Sequence, residues 1–226
     1  MEEKFIRTVR SFVLRQGRLT RGQEQAIENV WPVYGIDKGD TSLDMSVLFQ
    51  REAPVTLEIG FGDGVSLAEM AQSAPEKDFI GVEVHRPGVG RLLHLINEQA
   101  LTNVRVMDDD AVEIIKNRIP EQSLDRVQLF FPDPWHKKRH NKRRIVQPDF
   151  VSLIASRLKA GGVFHLATDW EPYAEHMAEV MEASSEFTSQ GDSPYAPKPD
   201  SRPTTKFERR GLKLGHGVWD LLYSKV

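Results

Sequence analysis

Cysteine is absent from the chain, which excludes a disulfide framework, a thiolate zinc site and a cysteine nucleophile. No stretch approaches the ~20 apolar residues that a membrane helix needs, so no membrane partner is expected. The first residues, Met1-Glu2-Glu3-Lys4-Phe5, lack the apolar core of a signal peptide. Export is therefore not expected, and the cytoplasm is the default compartment. Internal repeats and low-complexity tracts are also missing. The dinucleotide fingerprint Gly-x-Gly-x-x-Gly is missing too, because counting from Gly60 its last position is Val65. With no evident proton relay either, that argues against a nicotinamide oxidoreductase. Net charge is scarce at -3, which argues against indiscriminate binding of polyanions.

What is present is 39% hydrophobic and 28% charged over 226 residues, the composition of a soluble globular protein with room for a sizeable core. Charge is segregated. From Lys137 to Arg144, six of eight residues are Lys or Arg and none is acidic. The first 21 residues carry Lys4, Arg7, Arg10, Arg15, Arg18 and Arg21 against Glu2 and Glu3. Two basic segments on an acidic chain point to a localised anionic partner. Residues 1–22 read as a basic arm, mobile on its own, and residues 23–226 as a single domain.

A helical stretch is expected from Gln23 to Val30, broken at Trp31-Pro32. From Pro54 the pattern becomes regular, with strands expected at Val55–Ile59, Asp78–Val84, Val104–Met107, Arg126–Phe131 and Val163–Ala167. Helices are expected between them, at Val65–Ala71, Pro87–Gln99, Ala111–Lys116, Pro148–Leu158 and, after the last strand, Glu171–Met181. Lys159-Ala160-Gly161-Gly162 reads as a helix stop. Alternating elements with short connections imply a parallel sheet covered on both faces. Ligands of such sheets bind beyond the carboxyl ends of the strands, which places Gly60–Gly64, Glu83, Asp110, Asp133 and Asp169 on one rim.

Glycines at 60, 62 and 64 allow close backbone approach and positive φ, although an ordinary tight β-α turn would use them as well. Glu83, about twenty residues further on, is placed to bind ribose hydroxyls. An acid after the third strand can accept from an adenine amino group, with Asp108, Asp109 and Asp110 as candidates. Asp110 before Ala111 also suits a helix N-cap, and both roles are compatible. Glu58 precedes the glycines. This combination resembles the class I S-adenosylmethionine-dependent methyltransferases, and the cofactor that the resemblance implies, cationic and without phosphate, suits an acidic rim.

After the fourth strand, an apolar run ends in Pro132-Asp133-Pro134-Trp135 and then the basic block. Amino-directed nucleic-acid methyltransferases carry Asp/Asn-Pro-Pro-aromatic there, related in position but different in order. The bland reading is a loop with Trp135 packed inside. Six uncompensated cations beside it make a purely structural role costly. His136 and His140 stand four apart, but among cations and without a carboxylate, so no metal is expected. Asp169 fits a helix cap as well as a site. Arg202-Pro203-x-Thr205-Lys206-Phe207-Glu208-x-Arg210-Gly211 can stack on and hydrogen-bond a splayed base, or form an edge-strand loop held by ion pairs.

Phe131-Pro132-Asp133-Pro134-Trp135-x-Lys137-x-Arg139-His140-x-Lys142-Arg143-Arg144 resembles the signature of the tRNA (guanine-N7-)-methyltransferases, bacterial single-subunit type. Leu57-Glu58-Ile59-Gly60-Phe61-Gly62-x-Gly64, Gly81-Val82-Glu83-Val84-His85, Thr205-Lys206-Phe207-Glu208 and the arm Arg10-Ser11-Phe12-Val13-x-Arg15-x-Gly17-Arg18 resemble it as well.

The resemblance implies an α/β class I methyltransferase (Rossmann-like) fold: doubly wound, with a mostly parallel seven-stranded sheet and helices on both faces. It implies methyl transfer from S-adenosylmethionine to N7 of a guanosine in the tRNA variable loop. It further implies Asp133 as the catalytic residue and Glu58, Gly60, Gly62, Glu83 and Asp110 as the cofactor site. Lys137, Asp169, Thr205, Lys206, Phe207 and Glu208 would contact the substrate. Arg139, His140, Asn141, Lys142, Arg143 and Arg144 would grip the RNA. The partner is tRNA, and the enzyme a monomer or homodimer. The competing readings are a methyltransferase for another RNA or base position, and a non-catalytic RNA-binding protein on this fold. Cofactor binding separates the last from the others.

Overall fold

The computed structural model describes residues 11–12, 17–205, 208–209, 215 and 217–226. Two helices precede the sheet, α1 (Arg21–Tyr34) and α2 (Met45–Phe49). Then β1 (Val55–Ile59), α3 (Val65–Ser73), β2 (Asp78–Val82), α4 (Arg86–Glu98), β3 (Val104–Met107), α5 (Ala111–Asn117) and β4 (Leu124–Phe130) alternate. A six-residue 3-10 helix, Lys138–Arg143, leads to α6 (Pro148–Arg157), β5 (Leu158–Thr168), α7 (Glu171–Glu182), β6 (Phe187–Ser189) and β7 (Trp219–Lys225). Among the described residues the sheet has seven strands in the order β3-β2-β1-β4-β5-β7-β6. The first five run parallel, and β7 is antiparallel to both β5 and β6. No helix of the described residues is long and apolar enough to cross a membrane.

The central strands are apolar on both sides because both faces are covered. One face packs Leu57, Val82, Leu129, Leu166 and Leu221 against α5, α6 and α7. The other packs Phe79, Val104, Phe130 and Ala167 against α1, α3 and α4. Helix α4 shows why: Val89, Leu92, Leu93 and Ile96 recur at helical spacing and all are buried, while Pro87 starts its first turn. Helix α1 opens on a capping box between Thr20 and Gln23. Gln23 also donates from its side chain to Pro87 O at 2.9 Å, docking α1 on α4.

Two sequence expectations are corrected. Helix α1 does not break at Trp31-Pro32 but continues to Tyr34 with Pro32 inside it. Proline in the last turn removes only one ladder bond, and Gly35 N donates to Trp31 O at 2.7 Å to close the end. Lys159–Gly162 is not a helix stop either. α6 ends at Arg157, and those four residues lie within β5, where the pairing with β4 shifts register between Leu124 and Arg126. Gly161 has φ 75° there, a bulge that only glycine adopts without strain.

Candidate active site

Two adjoining cavities of about 410 and 120 Å³ open at the carboxyl ends of β1, β2, β3 and β4, sharing Gly60, Gly62, Phe130 and Phe131. The larger is lined by Glu83, Asp109, Asp110, Pro132 and Asp133, among others, and by Ser11 and Phe12 from the N-terminal segment. The smaller has Glu58 on one side and Thr204, Thr205 and Arg209 on the other. A volume of this order suits a small organic ligand.

The glycine loop shapes the first wall. Gly60, Gly62 and Gly64 all have positive φ, at 71°, 62° and 74°. At Gly60 and Gly62 a Cβ would meet nothing within 4 Å, so the backbone there faces open space. Gly88, at the start of α4, closes from behind: a Cβ on it would lie 1.9 Å from Gly62 O. Strand β2 ends at Val82, leaving Glu83 just beyond it. Its Oε2 accepts from Gly62 N at 2.9 Å, and its Oε1 accepts from Val84 N and His85 N at 2.7 and 2.9 Å. A carboxylate offers about four acceptor positions, so one remains for a ligand hydroxyl.

Asp110 caps α5, accepting from Val112 N at 3.0 Å, while it also lines the larger cavity. Asp109 lines it too, but is paired with Lys38 at 3.3 Å. Asp108 is not among the lining residues. Glu58 is 3% exposed, and its Oε2 is buried without a hydrogen-bond partner among the described residues. Burial, and secondarily the charge of Glu83, pushes its carboxyl up to about 8. An unpartnered buried acceptor beside open glycine backbone fits a cationic ligand bearing donors.

Asp133 stands on the turn that leaves β4. Phe131 and Trp135 bracket it with φ of 52° and 48°, left-handed conformations that bulky residues adopt only when their surroundings impose them. What imposes them is visible. Phe131 N donates to Ala167 O at 2.8 Å. Trp135 Nε1 donates to Ser11 O at 3.0 Å, and the Arg143 guanidinium lies 3.8 Å over the Trp135 ring. Arg144 is 6% exposed and donates to Pro134 O and Pro172 O at 3.0 and 3.2 Å while stacking on Tyr173. His136 meets Trp170 edge-on at 4.4 Å, tying the turn to the start of α7. Asp133 itself is exposed and makes no hydrogen bond or salt bridge among the described residues.

The basic block sorts into two kinds of residue. Lys137, Lys138, Arg139 and Lys142 are exposed and have no salt bridge among the described residues. Arg143 and Arg144 instead build the turn, and Asn141 and His140 are half-buried. The His140 ring is held below its ordinary range, first by desolvation and then by Arg139, Arg143, Lys137 and Lys142, so it adds no further cation near neutrality. Asp169 does not cap α7: the N-cap is Trp170, which makes no side-chain cap bond. Asp169 is half-buried at the end of β5 and, like Lys137, lines neither cavity. Thr205 reaches the smaller cavity. Glu208 is buried and bonded to Arg202, Lys198 and Thr205 N. Lys206 and Phe207 lie outside the described residues. Among the described residues, no group of three or more His, Asp and Glu could hold a metal.

Missed by sequence reasoning are Ser11 and Phe12 at the cavity, Gly88 behind the glycine loop, and Arg202 with Asp220. The Arg202-Pro203 pair was legible as part of a mixed motif. Asp220, on a strand 18 residues away with no motif of its own, carried no signal.

The family model described as "Putative methyltransferase" matches residues 52–221. The tRNA (guanine-N(7)-)-methyltransferase of Escherichia coli (strain K12) is 60% identical over 222 residues, covering 98% of this chain and 93% of that protein. Its namesake from Klebsiella pneumoniae is 59% identical over the same shares. Among solved structures, the 16S rRNA methyltransferase KamB superposes with a TM-score of 0.60 at 15% identity, over 80% of this chain and 92% of that one. A SAM-dependent O-methyltransferase from Thermotoga maritima gives 0.51 at 15% identity, over 80% and 63%. The distant structures establish the shared class I methyltransferase fold. With the acid-rimmed glycine loop and the Pro-Asp-Pro-Trp turn in place, identity of 60% along nearly the whole length makes this chain a member of the tRNA (guanine-N(7)-)-methyltransferase family.

Proposed function

We propose that this chain transfers a methyl group from S-adenosylmethionine to N7 of a guanosine in the variable loop of tRNA, with Asp133 as its catalytic carboxylate. One observation carries the reading: an uncommitted acid, held on a strained turn, stands between an acid-rimmed cavity and a row of unpaired cations.

S-adenosylmethionine, when bound, supplies an electrophilic methyl group. Glu83 would receive ribose hydroxyls, Asp110 the adenine amino group, and Glu58 the cationic end, with Gly60 and Gly62 leaving room for close approach. The acceptor N7 carries a lone pair and no proton, so no side chain is needed as a base before attack. The protein's task is orientation and electrostatics. As N7 forms its new bond, the guanine ring gains positive charge. Asp133 opposes that charge and can hold guanine N1–H and N2–H, fixing the ring in the plane of attack. Asp169, Lys137, Thr205, Lys206 and Phe207 would complete the substrate contacts, with the buried Glu208 holding Thr205 in place. Lys138, Arg139 and Lys142, with Lys137, would hold phosphates, a sequence-independent grip that falls steeply with salt. The enzyme would act as a monomer or homodimer. A tRNA substrate puts the reaction in the cytoplasm.

The test is to incubate the protein with unmodified tRNA and labelled cofactor. Chain cleavage after borohydride and aniline then maps 7-methylguanosine. Cleavage within the variable loop is expected. Label incorporated elsewhere would move the assignment to another base, and tight RNA binding without any label would favour a non-catalytic RNA-binding protein.

A further inference from the structure

Arg202 is 2% exposed, the largest fully buried side chain among the described residues, and the methyl-transfer scheme gives it no role. Four of its five N–H groups are engaged. Nε and Nη2 donate to the two oxygens of Asp220 at 2.7 and 2.8 Å, and Nη1 and Nη2 donate to the two oxygens of Glu208 at 2.7 and 3.2 Å. Both contacts are bidentate, a geometry specific to arginine. The guanidinium carbon also lies 5.7 Å from the ring centroids of both Phe130 and Phe131.

The network extends in both directions. Asp220 accepts from His165 Nε2 at 2.8 Å, and His165 Nδ1 faces Arg126 Nη1 at 3.3 Å. Burial holds the His165 ring below its ordinary range, so it is neutral and donates Nε2–H to the carboxylate. At the other end, Glu208 Oε2 accepts from Thr205 N at 3.3 Å, and Thr205 Oγ1 accepts from Glu208 N at 3.1 Å. Lys198 adds a cation 3.3 Å from Glu208, so with Arg202 and Arg126 three cations share the cluster with two carboxylates.

Such a cluster contributes little net stability compared with apolar packing of the same volume, because desolvation offsets attraction. What it does achieve is fixed geometry. One guanidinium joins β7 through Asp220, Thr205 through Glu208, and the end of β4 through Phe130 and Phe131. Thr204, Thr205, Arg209, Phe130, Phe131 and Glu58 all line the smaller cavity. Phe131 begins the strained turn that carries Asp133.

We propose that Arg202 is a positioning residue for methyl transfer, holding Thr205 and Glu208 in register with the turn that presents Asp133. This rests on the function proposed above. Lysine at this position would keep the charge but reach one carboxylate rather than two.

The experiment compares wild type with Arg202→Lys, Arg202→Met, Glu208→Gln and the Arg202→Met/Glu208→Gln double variant. Folded fraction is measured by circular dichroism, and kcat and KM by methyl transfer to tRNA. For Arg202→Lys, kcat per folded molecule is expected to fall by about 10- to 100-fold, as misplacement near 1 Å does. KM for tRNA is expected to move by less than about threefold, because the phosphate grip lies elsewhere. The double variant is expected to be no slower than Arg202→Met alone, since both act through one contact. Full kcat per folded molecule in Arg202→Lys, or multiplicative losses in the double variant, would overturn the proposal. If Arg202→Met does not fold, multiplicative losses on combining Arg202→Lys with Glu208→Gln would overturn it equally. Wild type that leaves tRNA unmethylated would instead remove the functional reading beneath it.

Discussion

Glu58 is the side chain whose ionisation the fold most strongly resists. Its carboxyl moves from 4.5 to about 8, first through burial and then through Glu83. Between those values the folded chain holds a proton that the unfolded chain has released. The stabilising contribution of that proton is therefore complete below about pH 4.5 and fades as pH rises towards 8. Glu58→Gln, neutral at every pH, is expected to melt like wild type at pH 5. At pH 8.5 it should be more stable than wild type by on the order of 3 kcal/mol. Melting curves at both pH values decide, and an offset independent of pH would remove the charge explanation. The same substitution should weaken cofactor binding above about pH 8, where the wild-type carboxyl is ionised and a neutral amide opposes a cation less well. Asp133 is the converse case, a carboxylate the fold leaves uncommitted. Asp133→Asn is expected to lower kcat by about 10²-fold while leaving cofactor affinity unchanged, the pattern of lost transition-state electrostatics. Stopped-flow transfer and calorimetry separate the two effects, and a loss confined to KM would make Asp133 a binding residue only.

At the scale of elements, the β1–α3 loop works because α4 lets it. Gly60→Ala places a methyl group in open space at φ 71°, a backbone cost of about 1–2 kcal/mol, but it protrudes where a ligand must approach. Gly88→Ala meets Gly62 O at 1.9 Å, so either α4 or the loop must shift. Gly88→Ala is expected to lose more stability than Gly60→Ala, by roughly 2 kcal/mol, and both should lose cofactor affinity. Equal melting temperatures would show that the loop yields freely. The alternating strands and helices of this region were legible because buried parallel strands are short apolar runs punctuated by turn residues. Gly88 was not, since a close approach between segments 26 residues apart leaves no local pattern. Pro32 and Gly161 misled for the opposite reason: each is a strong local signal whose effect tertiary context reassigns, to a tolerated last turn and to a bulge. β7 went unread although Gly215 and Gly217 stand just before Trp219–Lys225, and the family resemblance supplied the seven-stranded sheet.

For the molecule as a whole, a net charge of -3 conceals an arrangement by side, with Glu58, Glu83, Asp109 and Asp110 around the two cavities and cations beyond the β4 turn. The motif marks the basic block as a unit, and nothing local divides it, because six cations in eight residues look alike. Burial divides them. Arg144 is inside, bonded to Pro134 O and Pro172 O, whereas Arg139 and Lys142 are exposed and unpaired among the described residues. Removing Arg144 leaves two carbonyls without their donor and a space over Tyr173. Arg144→Ala is thus expected to cost about 2–3 kcal/mol of stability, which for a chain of this size lowers the melting temperature by roughly 5–10 °C. Arg139→Ala and Lys142→Ala should leave melting unchanged, because an exposed cation without a partner contributes almost nothing to folding. Their effect is expected in the complex: if each side chain holds one phosphate, each substitution flattens the slope of log affinity against log salt by about 0.7 to 0.9. tRNA binding titrated across several salt concentrations measures that slope directly. If Arg144→Ala flattened it while melting normally, the buried arginine would be an RNA contact after all, and the turn carrying Asp133 would have to be held by something else.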